Sequence, residues 1–244
     1  MPSVSTRSEL KAQRKKRQQQ ARRNTFLAVV LGALVLVAII AIPAITNANQ
    51  PVGEITPAPP MTRANSKGVS MGDPNAPVKI DVFEDFQCSA CVYYTQQTEA
   101  QVIQEYVNTG KVYYVFHNFP FLDNNSPTKE SDQAANAAMC AAEQDGFWEY
   151  HDVVYLNWLG ENTGSLNDKR LTAFAETVGL EMKAFKTCFE KNAYQSQIND
   201  DVSLGKKMGV QGTPSVFVNG TLLTPGKVPN FDVVKAAVEA ELAK

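Results

Sequence analysis

The chain is poor in histidine, with two in 244 residues, and poor in cysteine, with four. So few histidines argue against a metal centre built mainly on imidazole. Beyond residue 24 the chain also lacks any excess of basic charge. Residues 1–24 hold eight Lys or Arg and one acid, whereas the remainder holds 15 bases against 24 acids. The overall formal charge of −2 thus hides a short basic tail on an acidic body. A nucleic-acid-binding domain needs basic charge on its folded surface, so this balance argues against one. There is one long apolar run and no more, which excludes a multi-span membrane protein. No cysteine adjoins that run, which excludes a lipidated N-terminus, and no internal repeat is evident. Core-forming side chains are not scarce: 44% of residues are hydrophobic, and the length suits one or two domains.

The apolar run settles the compartment. Phe26 to Ile45 is twenty residues without a charge, enough at about 1.5 Å per residue to span a hydrocarbon core of roughly 30 Å. Arg14–Arg17, Arg22 and Arg23 precede it, while residues 46–59 carry one acid and no base. The positive-inside rule then leaves residues 1–25 as a basic cytoplasmic tail, 26–45 as a transmembrane anchor, and the rest outside the cell membrane. A cleaved signal peptide is the competing reading, since Thr46-Asn47-Ala48 is a passable small-residue site. The run exceeds the usual apolar stretch of about 7–15 residues, which favours a retained anchor. In both cases the body lies in an oxidising compartment, where paired cysteines can become disulfides.

Residues 46–70 are rich in Pro, Asn, Ser and Gly and read as a flexible linker. Residues 71–244 are long enough for one well-buried domain. Val78, Ile80 and Val82 alternate with Lys79, Asp81 and Phe83, a strand signal. A helix is predicted from near Cys88 to Asn108, with Gly110 as its stop, and Val112–Phe116 reads as a second strand. Strand, helix, strand makes a right-handed parallel βαβ unit. Helical patterns follow at Lys129–Gln144, Phe147–Leu159, from Asn167 to Gly179, Met182–Glu190 and Tyr194–Met208, an all-helical insertion over about 121–208. Ser215–Val218 and Thr221–Leu223 flank Asn219-Gly220, a two-residue hairpin signal, and Asn230 caps a last helix.

Cys88-Ser89-Ala90-Cys91 falls where the first strand hands over to the first helix. Cysteines at i and i+3 on a first helical turn can bridge, and the first of them points out from the helix N-terminus. The unpartnered amides and the helix dipole there favour negative charge and lower the pKa of Cys88. A thiolate both attacks disulfides and leaves readily, which is what thiol–disulfide exchange requires. A zinc site would need a second close ligand pair, whereas Cys140 and Cys188 stand 48 residues apart with no suitably spaced histidine. A passive staple is the other bland reading. His117 and His151 read as structural or solvated, and the aromatic run Phe147–Trp158 as core.

Gly212-Thr213-Pro214 stands directly before a strand, where proline is awkward unless it occupies a special turn. With GDPNAPVKIDVFEDFQCSAC, AAMCAAEQDGFWEYHD and GVQGTPSVFVNG in that order, residues 71–244 resemble the DsbA-like thiol–disulfide oxidoreductases. The resemblance implies an α/β thioredoxin-like fold (βαβ–ββα) with the helical insertion, here preceded by a single transmembrane helix. It implies that Pro214 is cis beside Cys88–Cys91, leaving the Thr213 backbone to pair with an extended substrate, and that Ser89 and Ala90 tune the potential. It supports a structural disulfide between Cys140 and Cys188, the alternative being a second redox pair. Many relatives carry a buried acid six residues before the first active cysteine; here that position is Val82. Asp81 points to the opposite strand face, Glu84 and Asp85 read as loop residues, and the proton acceptor for Cys91 is left open.

The expected function is therefore a membrane-anchored, extracytoplasmic, bacterial-type oxidoreductase that introduces disulfides into unfolded secreted or membrane-exposed proteins through Cys88 and Cys91. The resemblance implies re-oxidation by a membrane partner linked to quinone. No organic cofactor or metal is needed. Two alternatives stand beside this reading: a reductase or isomerase of the same fold, and a Cu(I)-handling module using the two thiolates.

Overall fold

The computed structural model describes residues 7–48, 52–126 and 128–244, and its backbone divides into two units after residue 50. The first unit is one 42-residue helix, α1 (Arg7–Ala48). Over Arg14–Ile39 it is long and apolar enough to cross a membrane, with a mean hydropathy of 1.7. Phe26, Leu27, Leu31 and Leu34 are all more than half exposed. With Val29, Leu36 and Ile39, also more than half exposed, they put apolar side chains all round the helix instead of in one stripe.

The second unit is built on a five-stranded sheet in the order β1-β3-β2-β4-β5. β2 (Val78–Glu84) and β3 (Val112–Asn118) run parallel, and β4 (Ser215–Val218) lies antiparallel on the other side of β2. Between β2 and β3 the helix predicted from Cys88 is present, but it is not a regular α-helix throughout. α2 (Ser89–Tyr94) and α3 (Ala100–Val102) alternate with wide π-type turns at Thr95–Glu99 and Ile103–Val107. β5 (Thr221–Leu222) closes a hairpin in which Asn219 and Gly220 both have positive φ, 44° and 81°, the geometry their turn type demands. Asn230 accepts from the Val233 amide at 3.1 Å and starts α9 (Phe231–Leu242).

From β3 to β4 the chain passes through a 3-10 turn at Phe121–Asn125 and then α4 (Glu130–Ala142), α5 (Phe147–Leu156), α6 (Asp168–Thr177), α7 (Met182–Glu190) and α8 (Gln195–Met208). Cys140 of α4 and Cys188 of α7 are bonded, with Cα atoms 5.8 Å apart. By chain entropy a loop of that length contributes at most about 4 kcal/mol. α8 approaches the sheet closely at Gly205, where a Cβ would come within 2.8 Å of the Phe119 ring. A larger residue there would force apart the Phe83, Phe119 and Phe217 cluster beneath it.

Two further features depart from the sequence-based expectation. Ser70 and Met71 form a short strand, β1, paired antiparallel to β3 opposite Val115 and Tyr114. The segment expected as a flexible linker is, from Val52 onward, a strap packed on the domain. Asn157 and Asn108 bind it by imitating a neighbouring strand. Asn157 accepts from the Thr56 amide and donates to the Thr56 carbonyl, both at 2.8 Å. Asn108 does the same with the Ala64 amide and the Thr62 carbonyl, at 2.8 and 2.9 Å. Arg63 forms a two-pronged, largely buried ion pair with Asp152, at 2.7 and 2.9 Å. Without apolar periodicity the strap has no signal of its own, because its partners are side chains about 45–100 residues away.

His117 ends β3 between two acids, 2.8 Å from Asp81 and 3.2 Å from Asp201, and ties the sheet to α8. Burial disfavours its imidazolium, but hydrogen bonds to Asp201 and Asp81 outweigh that and raise its pKa. Burial likewise pushes Asp81 up, and His117 with Lys79 outweighs it and holds the carboxyl low. A raised histidine gives stability that is full below about 6.5 and is lost as pH rises through its folded value; a lowered Asp gives stability present above about 3.9 and lost below it. The pair therefore stabilises most between about pH 4 and 6.5. His117→Gln should cost roughly 1–3 kcal/mol at pH 5.5 and clearly less at pH 8. Urea unfolding at both pH values checks this, and an equal loss at each would remove the charged pair from the account.

Candidate active site

β2 delivers the chain to the site. Ile80, Val82 and Glu84 share one strand face, and residues 85–87 turn the backbone into α2. Cys88 is the N-cap of α2, with φ −72° and ψ 120°, and its carbonyl accepts from the Cys91 and Val92 amides at 3.0 and 3.1 Å. Its sulfur lies 3.3 Å from the Thr213 carbonyl oxygen, and the Thr213–Pro214 peptide bond is cis. Cys88 and Cys91 are unbonded. Cys88 keeps 5% of its surface exposed and Cys91 none. That is less exposure than the end of a helix predicts, because the Thr213–Pro214 loop lies against the sulfur. Beside this loop runs a groove of about 610 Å³, lined by Ala90, Phe121, Gly212, Thr213, Pro214 and Val228.

The two thiols differ sharply in charge preference. A hydrogen bond from Cys91, together with Thr213 and the Cys91 and Ala90 amides, outweighs burial and lowers Cys88 to about 6. Burial, the Cys88 sulfur and the nearby Glu84 carboxyl push Cys91 well above the ordinary thiol range. The site thus favours one thiolate over one protonated thiol at neutral pH.

The acid missing from position 82 stands two residues further on. Glu84, expected in a loop, is the last residue of β2 and is buried. A step of two along a strand keeps the same face, so Glu84 reaches the pocket beneath Cys91 that Val82 would otherwise serve. Burial and the charge of Glu99 push its pKa well up, while the Tyr155 hydroxyl, donating at 2.9 Å, works against this. The strand's alternation was the signal, masked because the strand runs two residues beyond its last aliphatic. Asp85 is also buried, accepts from the Gln87 and Leu122 amides at 2.9 and 3.0 Å, and is pushed up by burial to about 7. Asp81 faces the other side, on His117.

Two further residues had no sequence signal. Gln87, fully buried, anchors the cysteine loop to the insertion. Its amide nitrogen donates to Ser131 at 2.8 Å and to Asp123 at 3.2 Å, and its side-chain oxygen accepts from Asn162 at 2.7 Å. Trp158 donates to its backbone carbonyl at 2.7 Å. Glu161, from the α5–α6 connection, accepts from the Ser89 amide at 3.0 Å and the Ser89 hydroxyl at 2.9 Å. It places a carboxylate on the first free amide of α2, where it competes with the Cys88 thiolate for the same positive end of the helix.

Removing that competitor should favour the thiolate. Glu161→Gln is expected to lower the Cys88 pKa by roughly 0.2–0.7, the equivalent of a helix-terminal charge worth about 0.3–1 kcal/mol. Iodoacetamide alkylation of the reduced protein across a pH series reads this directly. An upward shift would show that Glu161 acts by ordering Ser89 and not by its charge.

The chain matches the thioredoxin family model over residues 64–240. It is 31% identical over 183 residues to the probable disulfide bond formation protein D of Bacillus cereus, covering 74% of this chain and 82% of that protein. With disulfide bond formation protein D of Bacillus subtilis it shares 24% identity over 179 residues, covering 70% and 76%. Among solved structures, oxidised BdbD of Bacillus subtilis has a TM-score of 0.65 at 22% identity, covering 78% of this chain and 100% of that one. DsbA of Chlamydia trachomatis has a TM-score of 0.60 at 23% identity, covering 76% and 99%. These structures share the fold, and the sequence matches carry the likeness across the cysteine loop. The chain belongs to the thioredoxin family, among its DsbA-like protein disulfide oxidoreductases.

Proposed function

We propose that this oxidoreductase works as an oxidase, held by residues 26–45 in the cell membrane with residues 1–25 in the cytoplasm and the domain that begins near Pro51 outside. The observation that carries the direction is the inequality of the two thiols. Stabilising the Cys88 thiolate stabilises the reduced enzyme, which makes the Cys88–Cys91 disulfide the better oxidant.

In this reading a thiolate of an unfolded secreted protein attacks the Cys88 sulfur. The Cys88–Cys91 bond breaks, a mixed disulfide forms, and Cys91 leaves and takes a proton in its dry pocket. A second substrate thiolate then attacks its partner sulfur and releases Cys88 as a thiolate. Two electrons pass from the substrate to the enzyme, and the substrate holds the disulfide. Thr213 and Pro214 border the groove in which an extended substrate segment lies, and Ser89 and Ala90 set the potential from within the motif. Cys140–Cys188 holds the insertion together and takes no part in exchange. A re-oxidising partner is implied by the family; in this reading it lies in the membrane and passes the electrons to quinone. The sequence charge asymmetry and α1 support the topology.

The mutant pattern should be asymmetric. Cys91→Ala is expected to accumulate mixed disulfides with secreted proteins through Cys88, while Cys88→Ala traps almost nothing. Equal trapping by both variants would defeat the mechanism. A reduction potential of the pair near −120 mV supports an oxidase, and one near −270 mV a reductase.

Topology is checked separately. Protease added to intact spheroplasts should cut between α1 and Val52 and release a domain that stays resistant, because the strap from residue 52 is packed. Protection of the whole chain until the membrane is broken would place the domain in the cytoplasm.

A further inference from the structure

Behind Cys91 lies a second group of ionisable side chains. One carboxylate oxygen each of Glu84 and Glu99 and one ring nitrogen of His151 all lie within 4.8 Å of one another, and all three residues are buried. They come from three different elements: the end of β2, the π-type turn Thr95–Glu99, and α5. A π-type turn widens the helix by one residue, and wide turns of this kind recur at functional sites. Tyr155 donates to Glu84 at 2.9 Å and Tyr114 to Glu99 at 3.0 Å. His151 is walled by the rings of Phe86, Phe116, Phe147, Trp148 and Tyr155.

The hydrogen bonding of this group is incomplete in a telling way. Glu84 Oε1 and His151 Nε2 are both buried and have no hydrogen-bond partner among the described residues. Buried polar atoms are nearly always paired, and an exception calls for an explanation such as a catalytic role. The other nitrogen of the ring is committed: Nδ1 lies 3.0 Å from Asp152 Oδ1, and Asp152 is in turn gripped by Arg63 of the strap. Asp152 borders a cleft of about 200 Å³ together with Pro57, Arg63 and Glu149. Two carboxyls this close in a dry pocket cannot both be ionised without a cation or a proton between them. Burial accordingly pushes both Glu84 and Glu99 up, with the charges of His151 and Arg63 acting against this at Glu99.

We propose that Glu84, Glu99 and His151 form a buried proton store for the Cys91 thiol, and that His151, oriented by Asp152 and Arg63, is the positioning residue that sets the protonation of Glu84. This rests on the reading that Cys91 resolves mixed disulfides formed at Cys88. When Cys91 closes the pair, its thiol proton passes to Glu84 as its sulfur attacks Cys88. The Cys88–substrate bond breaks, the Cys88–Cys91 bond forms, and the substrate sulfur leaves as a thiolate. When the enzyme oxidises a substrate the transfer runs backwards, and Cys91, leaving with its electron pair, takes the proton from Glu84. Glu99 and His151 keep a proton available at that carboxyl in each direction. The groups that face it are Cys88, Cys91 and Tyr94 from the helix, Tyr114 from β3, and Tyr155 from α5. Arg63 and Asp152 close the circuit on the strap side.

The experiment isolates the Cys91 step. Reduced full-length protein in detergent is mixed with glutathione disulfide from pH 5 to 9, acid-quenched, and weighed by mass spectrometry. Formation of the Cys88–glutathione adduct reads Cys88 alone; its disappearance reads the attack by Cys91. In His151→Gln the adduct should form at the unaltered rate but resolve at least tenfold more slowly at pH 7, within the range for a positioned acid or base. Resolution should recover as pH rises toward ordinary thiol ionisation. Arg63→Gln, which leaves the ring in place, should move the same pH profile in the same direction by a smaller factor and keeps the test open if His151→Gln does not fold. Unchanged resolution profiles in folded variants would overturn the proton store while leaving the exchange reading intact. Failure of any adduct to form at Cys88 in the unmodified protein would instead overturn that reading. A stoichiometric divalent metal in the purified protein would also overturn the store, since three such ligands would then hold a cation in place of protons.

Discussion

The Ala90 and Cys91 amides at the start of α2 turn toward the Cys88 sulfur, which stands at the positive end of the helix. Most of the second unit can be understood as fixing that one electrostatic contact. β2, the strand paired on both sides at the middle of the sheet, sets where α2 begins. The cis Thr213–Pro214 loop brings a carbonyl to 3.3 Å from the sulfur and limits its exposure. Cys91, one turn later, is close enough to hydrogen-bond the Cys88 thiolate and too buried to ionise with it. A helix terminus is a common feature; one flanked by a buried donor thiol and a fixed carbonyl is a selective one.

The insertion is what makes this arrangement rigid. In a bare βαβ unit, residues 85–87 would be an exposed connection, free to reorganise when the disulfide opens. Here Gln87 spends both ends of its side chain on α4, the 3-10 turn and the α5–α6 connection, and Trp158 takes its carbonyl. Four hydrogen bonds therefore tie the residue before Cys88 to elements that the Cys140–Cys188 bond helps keep together. The same connection supplies Glu161, a charge that acts against the thiolate. The insertion thus both holds the loop and moderates its reactivity, two effects that a search for catalytic side chains near the sulfur would miss.

What could be read in the chain follows the range of the interactions involved. The paired strands β2 and β3, the Asn219-Gly220 hairpin and the Asn230 cap depend on residues within a few positions, and each left a local pattern. The cysteine motif was legible because its chemistry is set by a spacing of three on a first turn. The strap was illegible, since its order comes from Asn108, Asn157 and Asp152, which carry no mark of what they will bind. Glu84 lay between these cases. Its strand face followed from alternation, but a carboxylate at a core position looks like a strand end until Tyr155 and Cys91 are seen around it. The π-type turns were hidden for a similar reason, because the apolar period of residues 89–107 fits an α-helix nearly as well.

The strap changes what the chemistry of the pair can respond to. Arg63 brings positive charge to the buried cluster from outside the sheet and the insertion, and its guanidinium is also stacked over Trp148 at 5.3 Å. Arginine carries its charge at any ordinary pH, so Arg63 is a fixed source in the field that Asp152, His151 and Glu99 experience. Peeling the strap away would expose Asp152 to water and leave the carboxyls behind Cys91 with less positive charge near them. Each would then hold its proton more firmly, and less free carboxylate would be left to take the Cys91 proton. The segment that follows α1 in the chain is therefore more than a spacer. It brings a charge to the buried cluster behind Cys91, and the sequence between α1 and β1 is constrained by electrostatics as well as by length.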